Sequence, residues 1–307
     1  MDILVTGGAG FIGSHLVEWL VRQGYHVRVF DNFSSGQRKR SMFNREHVTI
    51  IEGDIRDFGA LQRATNGVEY VFHLAAMVSV IQSIEQPIEA EMINSVGSLH
   101  VLEAARQAKA KRVVMASSCA IYGNTTQVPT SEAVEPDPLS PYAISKLAAE
   151  NLGRLYTHLY EVEAVSLRFF NVYGPRQDPS SPYAAVIPRF AQILLRGQQP
   201  TIYGDGEQSR DFVFVSDIVG ALWAAATTPQ AAGRSLNVGT GVAVSIRALT
   251  TLIGELLGIP VNPIYAPARS GEVRHSCADP SLLKQITGFC PAMPLREGIA
   301  ATIDALR

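Results

Sequence analysis

Tyr142 and Lys146 stand four residues apart in the stretch YAISK. On a helix that spacing puts phenol and ammonium on one face. A free phenol ionises at about pH 10. A neighbouring cation favours the phenolate, so the pair can serve as a general base nearer neutrality. Upstream, SSCAIYG at 117–123 follows an apolar run and offers two hydroxyls, Ser117 and Ser118, and the thiol of Cys119. Three readings are open for it: a buried strand end, a cysteine nucleophile, or one wall of a site whose other residues lie elsewhere. The three cysteines, Cys119, Cys277 and Cys290, have neither a disulfide framework nor a metal-ligand spacing. The seven histidines show no His-Glu-x-x-His pattern, so no metal site is expected.

A second group of residues suits an anion. TGGAGFIG follows a strand-like run and opens a helix-like one, with Gly7, Gly10 and Gly13 three apart. Gly7 can make the tight turn, Gly10 can let a pyrophosphate approach the backbone, and Gly13 can let the helix pack closely on the strand. The helix start then offers free N–H groups and the positive dipole end. Asp31 closes HVRVFD, 18 residues beyond Gly13. A carboxylate there accepts hydrogen bonds from adenosine ribose hydroxyls and repels a 2′-phosphate, which favours NAD over NADP. Arg38, Lys39 and Arg40 lie close by and could serve a 2′-phosphate or form a solvated basic loop. Asp54, after VTIIEGD, could reach the adenine or be an ordinary loop residue. An oxidised nicotinamide would add its positive charge to that of Lys146.

These residues need elements to hold them. DILVTG, HVRVFD, VTIIEGD, VEYVFHLA, KRVVMASS and EAVSLRFFNV read as six strands. Helical patterns fall between most of them, as in SHLVEWLVRQG, from Ile88 to Ala108 and from Tyr142 to Tyr160. Such alternation implies parallel pairing with right-handed crossovers, and nearly all-apolar strands imply a sheet covered on both faces. The expected fold is α/β: a Rossmann-type doubly wound parallel sheet with a smaller C-terminal α/β substrate-binding domain. The NAD-binding domain is expected at 1–170, with segments near 211–240 returning to it, and residues 171–307 mainly bind substrate. YGPRQDPSSPYAA reads as a long loop, TIYGDGEQSRDFVFVSD as a turn-rich segment with two short strands, and the part after Gly241 as carrying two helices.

The 307 residues are 47% hydrophobic, with a formal net charge of −2, enough for a substantial core and no advertisement for nucleic acid. The N-terminus MDILVTGG lacks a basic region and a long apolar stretch, and no apolar run approaches the roughly 20 residues of a membrane span. A soluble cytoplasmic protein is expected.

Taken in order, TGGAGFIG, DNFSSG, GDIRD, HLAA, SSCAIYG, SPYAISK, RFFNVYGPRQ, GDGEQSRDFVFVSD, NVGTG and RSGEVRHS make the chain resemble, over nearly its whole length, the extended short-chain dehydrogenase/reductase family. Within it the resemblance is to the nucleotide-sugar epimerases and dehydratases. It implies tightly bound NAD, a Ser/Thr, Tyr and Lys catalytic set, and a homodimer formed through helices flanking the sheet. By this resemblance Ser118, Tyr142 and Lys146 are catalytic. Cofactor contacts are implied at Gly7, Gly10, Phe11, Ile12 and Gly13, then at Asp31, Asn32, Ser35, Gly36, Asp54 and Ile55. Further ones fall at Leu74, Ala75, Ala76, Asn94, Ser117 and Phe169, besides Tyr142 and Lys146. Asn94 matches the family's structural asparagine. Ser118, Tyr142, Asn171, Val186, Tyr203, Arg210, Arg269, Glu272 and Ser276 match substrate positions. Guanidinium forks suit a diphosphate on independent grounds, although each arginine alone could be a surface ion pair.

The reaction turns on two letters. Sugar 4,6-dehydratases of this family usually carry Asp-Glu after the catalytic Thr, and the related decarboxylases tend to keep the Glu; here the positions hold Cys119 and Ala120. Alanine transfers no proton, and a thiol ahead of apolar residues suits burial better than reactivity. Epimerisation at C4 needs neither acid: Tyr142 takes the 4-OH proton, the sugar is oxidised at C4, turns over and is reduced on its other face. In the epimerases the position of Ser276 gates sugar size, a tyrosine excluding N-acetyl groups and a small residue admitting them. The reading is therefore UDP-GlcNAc/UDP-GalNAc interconversion alongside UDP-Glc/UDP-Gal. A UDP-glucuronate 4-epimerase, a nucleotide-sugar dehydratase and a reductase are the alternatives within the family. A silent NAD-binding sensor is the alternative outside it, and would not need Ser118, Tyr142 and Lys146.

Overall fold

The computed structural model describes residues 2–34, 46–179, 185–268 and 273–307. In chain order, β1 is Asp2–Thr6, α1 Phe11–Arg22, β2 His26–Asp31, β3 Val48–Glu52, α2 Phe58–Thr65, β4 Tyr70–His73, α3 Val80–Glu85, α4 Pro87–Glu91, α5 Gly97–Gln107 and β5 Arg112–Ser118. Then come α6 Pro141–Tyr160, β6 Ala164–Phe169, β7 Asn171–Tyr173, α7 Val186–Leu195, β8 Thr201–Tyr203, β9 Ser209–Phe214, α8 Val215–Thr227 and β10 Ser235–Val238. The last stretch holds β11 Ala243–Ser245, α9 Ile246–Leu257, β12 Ile264–Ala266, β13 His275–Ser276, α10 Ser281–Thr287 and α11 Leu295–Asp304.

Seven parallel strands form the central sheet in the order β10-β6-β5-β4-β1-β2-β3. Its strands are apolar on both faces because helices cover both. Leu16, Val17 and Leu20 of α1 join Ile218 and Leu222 of α8 on one side; Leu61, Val101, Leu102 and Ala149 fill the other. The chain winds outward from β1 in one direction and from β4 in the other, so the crevice where binding is expected opens at the ends of β1 and β4. β7, β9, β11 and β13 make a second sheet, and β8 pairs with β12. A third core, built from Ile187, Phe190, Phe212, Leu249 and Ile299, packs this layer, and Phe11 and Ile12 at the start of α1 reach into it.

Three elements differ from expectation. EAVSLRFFNV is not one strand. Phe170 turns into a separate cluster with Ile121, Tyr122 and Ala278, so β6 stays in the large sheet and β7 pairs with β9. The helix expected from Ile88 to Ala108 is interrupted by a π-turn at Met92–Val96, where one extra residue per turn swings Asn94 inward. The part after Gly241 carries three helices, the added one, α10, being only seven residues long. Among the described residues no helix is long and apolar enough to cross a membrane.

Candidate active site

The glycine loop leaves β1 with Gly7 at φ 68° and its N–H on Phe30 O at 2.9 Å. A Cβ at Gly7 would meet the backbone N of Ala75 at 2.6 Å, so the loop lies against Leu74 and Ala75 beyond β4. A Cβ at Gly13 would stand 2.1 Å from Gly7 O, whereas one at Gly10 would meet only Gly7 O, at 3.1 Å. Helix α1 starts at Gly10 without a side-chain cap or an acidic residue in its first turn. The cradle is therefore open at Gly10, tight beneath it, and positive at its rim, which fits a pyrophosphate. Asp31 is almost fully buried; its Oδ2 accepts from Ala9 N at 2.9 Å and its Oδ1 from Phe33 N at 2.8 Å, tying the acidic strand end to the cradle. Asn32 donates to Asp54 at 3.0 Å, and the Arg56 guanidinium holds the Asp54 carboxyl well below the usual carboxylate range. Ile55 is buried against Gly97. Ser35 and Gly36, with Arg38, Lys39 and Arg40, lie outside the described residues.

Ser118 ends β5 and caps the short turn Cys119–Tyr122, its Oγ accepting from Ala120 N at 3.2 Å. Tyr142 enters at the start of α6, where Ser140 caps the helix and Pro141 opens it. Its phenol lies beside the Ser118 hydroxyl. Lys146 lies one turn on, 6.0 Å from the centre of the Tyr142 ring, and its Nζ donates to Ala116 O at 2.9 Å. Burial pulls Lys146 down to about 8 and pushes the Tyr142 phenol up to about 12. The chain by itself thus leaves Tyr142 protonated at neutral pH; the positive charge of an oxidised nicotinamide is the contribution that would bring it down.

The floor beneath is a neutral hydrogen-bonded chain. Ser98 donates to Asn94 O at 2.5 Å, so His73 Nε2 donates to Ser98 at 2.9 Å and Nδ1 accepts from Thr6 at 2.7 Å. Burial, helped by the charge of Lys146, holds His73 down to about 3, hence uncharged. Asn94 accepts from Met77 N at 2.9 Å and donates to Ser145 at 3.0 Å, and Ser145 donates to Tyr142 O at 2.8 Å. The π-turn residue therefore fixes the helical turn that carries the tyrosine.

Across the crevice, Ser276 stands beside the Cys119 thiol, which burial pushes up to about 11. Cys119 is a neutral thiol in the site wall, and Ala120 beside it offers no proton, so the strand end lacks an acid-base pair. Arg210 pairs in register with Ser276 and acts on Cys119 by its charge. It also lines a cavity of about 530 Å³ together with Asn171, Val186 and Tyr203. Arg210 thus stands both near Cys119 and in the wall of the cavity. Ala76 follows the loop at Leu74 and Ala75, while the ring of Phe169 is buried in the sheet core and the hydroxyl of Ser117 donates to Glu150. Arg269 and Glu272 lie outside the described residues.

Four buried groups around the site were not singled out by their spacing: His73, Glu150, Arg168 and Asp211. Asp211 is fully buried and accepts from Thr240 N at 2.8 Å, Thr240 Oγ1 at 2.6 Å, Gly241 N at 2.9 Å and Ala278 N at 3.1 Å, clamping the segment that carries Ser276. The available signal was a carboxylate at the head of the apolar run DFVFV.

Residues 3–239 match the model of the NAD dependent epimerase/dehydratase family. The chain belongs to this family. The chain is 40% identical to the UDP-glucose 4-epimerase of Mycolicibacterium smegmatis, covering all of this chain and 99% of that one. Its structure is similar to that of UDP-glucose 4-epimerase from Thermotoga maritima, solved with UDP-glucose: TM-score 0.95, 39% identity, 100% of this chain and 99% of that one. It is likewise similar to UDP-N-acetylglucosamine 4-epimerase from Methanobrevibacter ruminantium, solved in complex with UDP-N-acetylmuramic acid: TM-score 0.96, 38% identity, 99% and 97% coverage. This member of the epimerase family is an enzyme, an isomerase that works with NAD.

Proposed function

We propose that the enzyme inverts C4 of UDP-sugars through a transient 4-keto sugar, interconverting UDP-GlcNAc with UDP-GalNAc and UDP-Glc with UDP-Gal. Bound NAD supplies the oxidising and reducing power at C4. Tyr142 takes the proton of the 4-hydroxyl, Ser118 hydrogen-bonds the same oxygen, and Lys146 contributes the positive charge that favours the phenolate. Arg210 grips the diphosphate, and the cavity with Asn171, Val186 and Tyr203 takes the uridine end, so the sugar is free to turn while its handle is held. Residues 1–170, with segments near 211–240, serve the cofactor, and 171–307 mainly serve the substrate.

The observation that carries the substrate reading is Ser276: a small side chain beside Cys119, next to Ser118. A serine fills less of that wall than a tyrosine, which suits an N-acetyl group as well as a hydroxyl. Initial rates with UDP-GlcNAc and UDP-Glc test this. The wild type is expected to turn over both. Ser276→Tyr is expected to lose at least about tenfold on UDP-GlcNAc while keeping UDP-Glc; equal loss on both would remove Ser276 from that role. The enzyme further pairs with a second copy of itself, since Val80, Ile81, Ile84, Ile88, Leu155 and Leu159 leave an exposed apolar surface on the adjoining helices α3, α4 and α6. Sedimentation is expected to give twice the 33.2 kDa chain mass, and a monomer at micromolar concentration would refute it.

A further inference from the structure

The two catalytic arms rest on a buried ionic network. Glu150 lies one helical turn beyond Lys146, at 5% exposure, and its carboxylate is surrounded by donors. Ser117 donates to it from β5, Arg168 Nη2 from β6 at 2.8 Å and Nε at 3.0 Å, and Ser235 from β10 at 3.0 Å. Arg168 continues through Nη1 to the Tyr122 hydroxyl at 2.8 Å, and Tyr122 donates to Asn237 at 2.7 Å. Ser117 adjoins Ser118, and Tyr122 closes the short turn that Ser118 caps. One carboxylate thus joins helix α6 to three strands at the point where Ser118 and Lys146 are presented.

We propose that Glu150, held by Arg168, is a positioning residue for the reaction: it fixes the strand end that presents Ser118 and supplies negative charge one helical turn from Lys146. Stability alone gives weak reason for such a pair, because apolar residues of similar volume replace buried ion pairs at little or no cost. The surroundings of Lys146 single out Glu150. From its own helix come Tyr142 and Glu150; from β5, the carbonyl of Ala116; from β4, the uncharged His73; from β6, Arg168, on the far side of Glu150 in an ion pair with it. Burial pulls Lys146 down to about 8, and the charge of Glu150 is what raises it against that pull. Without Glu150 the ammonium would be lost at lower pH, and with it the charge that favours the Tyr142 phenolate.

Glu150→Gln keeps the shape and removes the charge. The chain has five lysines, so [ε-13C]lysine resonances can be followed through a pH titration, with Lys146 assigned by its disappearance in Lys146→Met. The Lys146 midpoint is expected to fall by about one unit in the variant. If the proposed epimerase reaction holds, on which the kinetic half rests, kcat falls about fivefold at pH 8 and hardly at all at pH 6, with KM for the UDP-sugar unchanged. An unmoved Lys146 midpoint in the folded variant overturns the proposal. Should Glu150→Gln not fold, the double variant Glu150→Gln/Arg168→Met removes both buried charges and is expected to show a smaller fall in the same direction; an unmoved midpoint there overturns the proposal equally. Wild-type protein whose Lys146 titrates as described but which inverts no sugar faults the functional reading and leaves this one standing.

Discussion

Tyr142→Phe is expected to keep its fold and its NAD and to lose turnover by about 100- to 10,000-fold, the range of a general base. The substitution removes one oxygen. Beside it in the chain is Ser118, which is only partly buried, so its hydroxyl can turn to water and little stability is at stake. Backbone contacts fix the helix turn independently, through Tyr142 N to Ser83 at 3.0 Å and Ser145 to Tyr142 O at 2.8 Å. What disappears is the phenol oxygen beside Ser118. The measurement is kcat beside melting temperature and bound-cofactor absorbance. Activity within about tenfold of wild type, in a folded variant holding NAD, would take the base role from Tyr142.

Gly13→Ala is expected to damage both the fold and the binding of NAD. The added carbon would sit 2.1 Å from Gly7 O and 2.8 Å from the Cα of Gly8, both backbone atoms that cannot rotate away. Relief requires moving the loop off α1, which costs about 1–3 kcal/mol of overpacking and pulls apart the N–H groups meant for the pyrophosphate. The variant should melt several degrees lower and purify without NAD. Gly10→Ala separates the two effects. Its methyl meets only Gly7 O, at 3.1 Å, but points to the open side of the cradle. Compared with NAD-stripped wild type it should melt at the same temperature, and it should still fail to hold NAD. A Gly13→Ala protein with normal stability and full NAD occupancy would refute the assignment of the loop.

What could be read from the sequence was local. The glycine spacing, Asp31 and the Tyr142–Lys146 pair each occupy one short segment, and elementary stereochemistry gives each a shape and a charge. The parallel sheet followed from alternating strand and helix patterns. Long-range pairing was not legible. Glu150 in KLAAENLGR resembles any solvent-facing helix carboxylate, and Arg168 any strand residue, until folding brings them to 2.8 Å from each other. Asp211 and His73 were hidden likewise, their partners lying 29 and 67 residues away. The break after Phe169 was missed because an apolar run looks the same whether it feeds one sheet or two. The π-turn left no periodic trace, since five residues are too few to shift a helical pattern.

The central claim is inversion at C4 without elimination, and proton NMR of the nucleotide sugar tests it most directly. Purified protein shown to contain NAD is incubated with UDP-GlcNAc, UDP-Glc and, separately, UDP-glucuronate, with no cofactor added and with Tyr142→Phe as the control. The expected result is the galacto product at equilibrium from UDP-GlcNAc and UDP-Glc, with every other carbon unchanged and no reaction in the control. Loss of water across C5 and C6, or unaltered sugars from NAD-loaded protein, would contradict it.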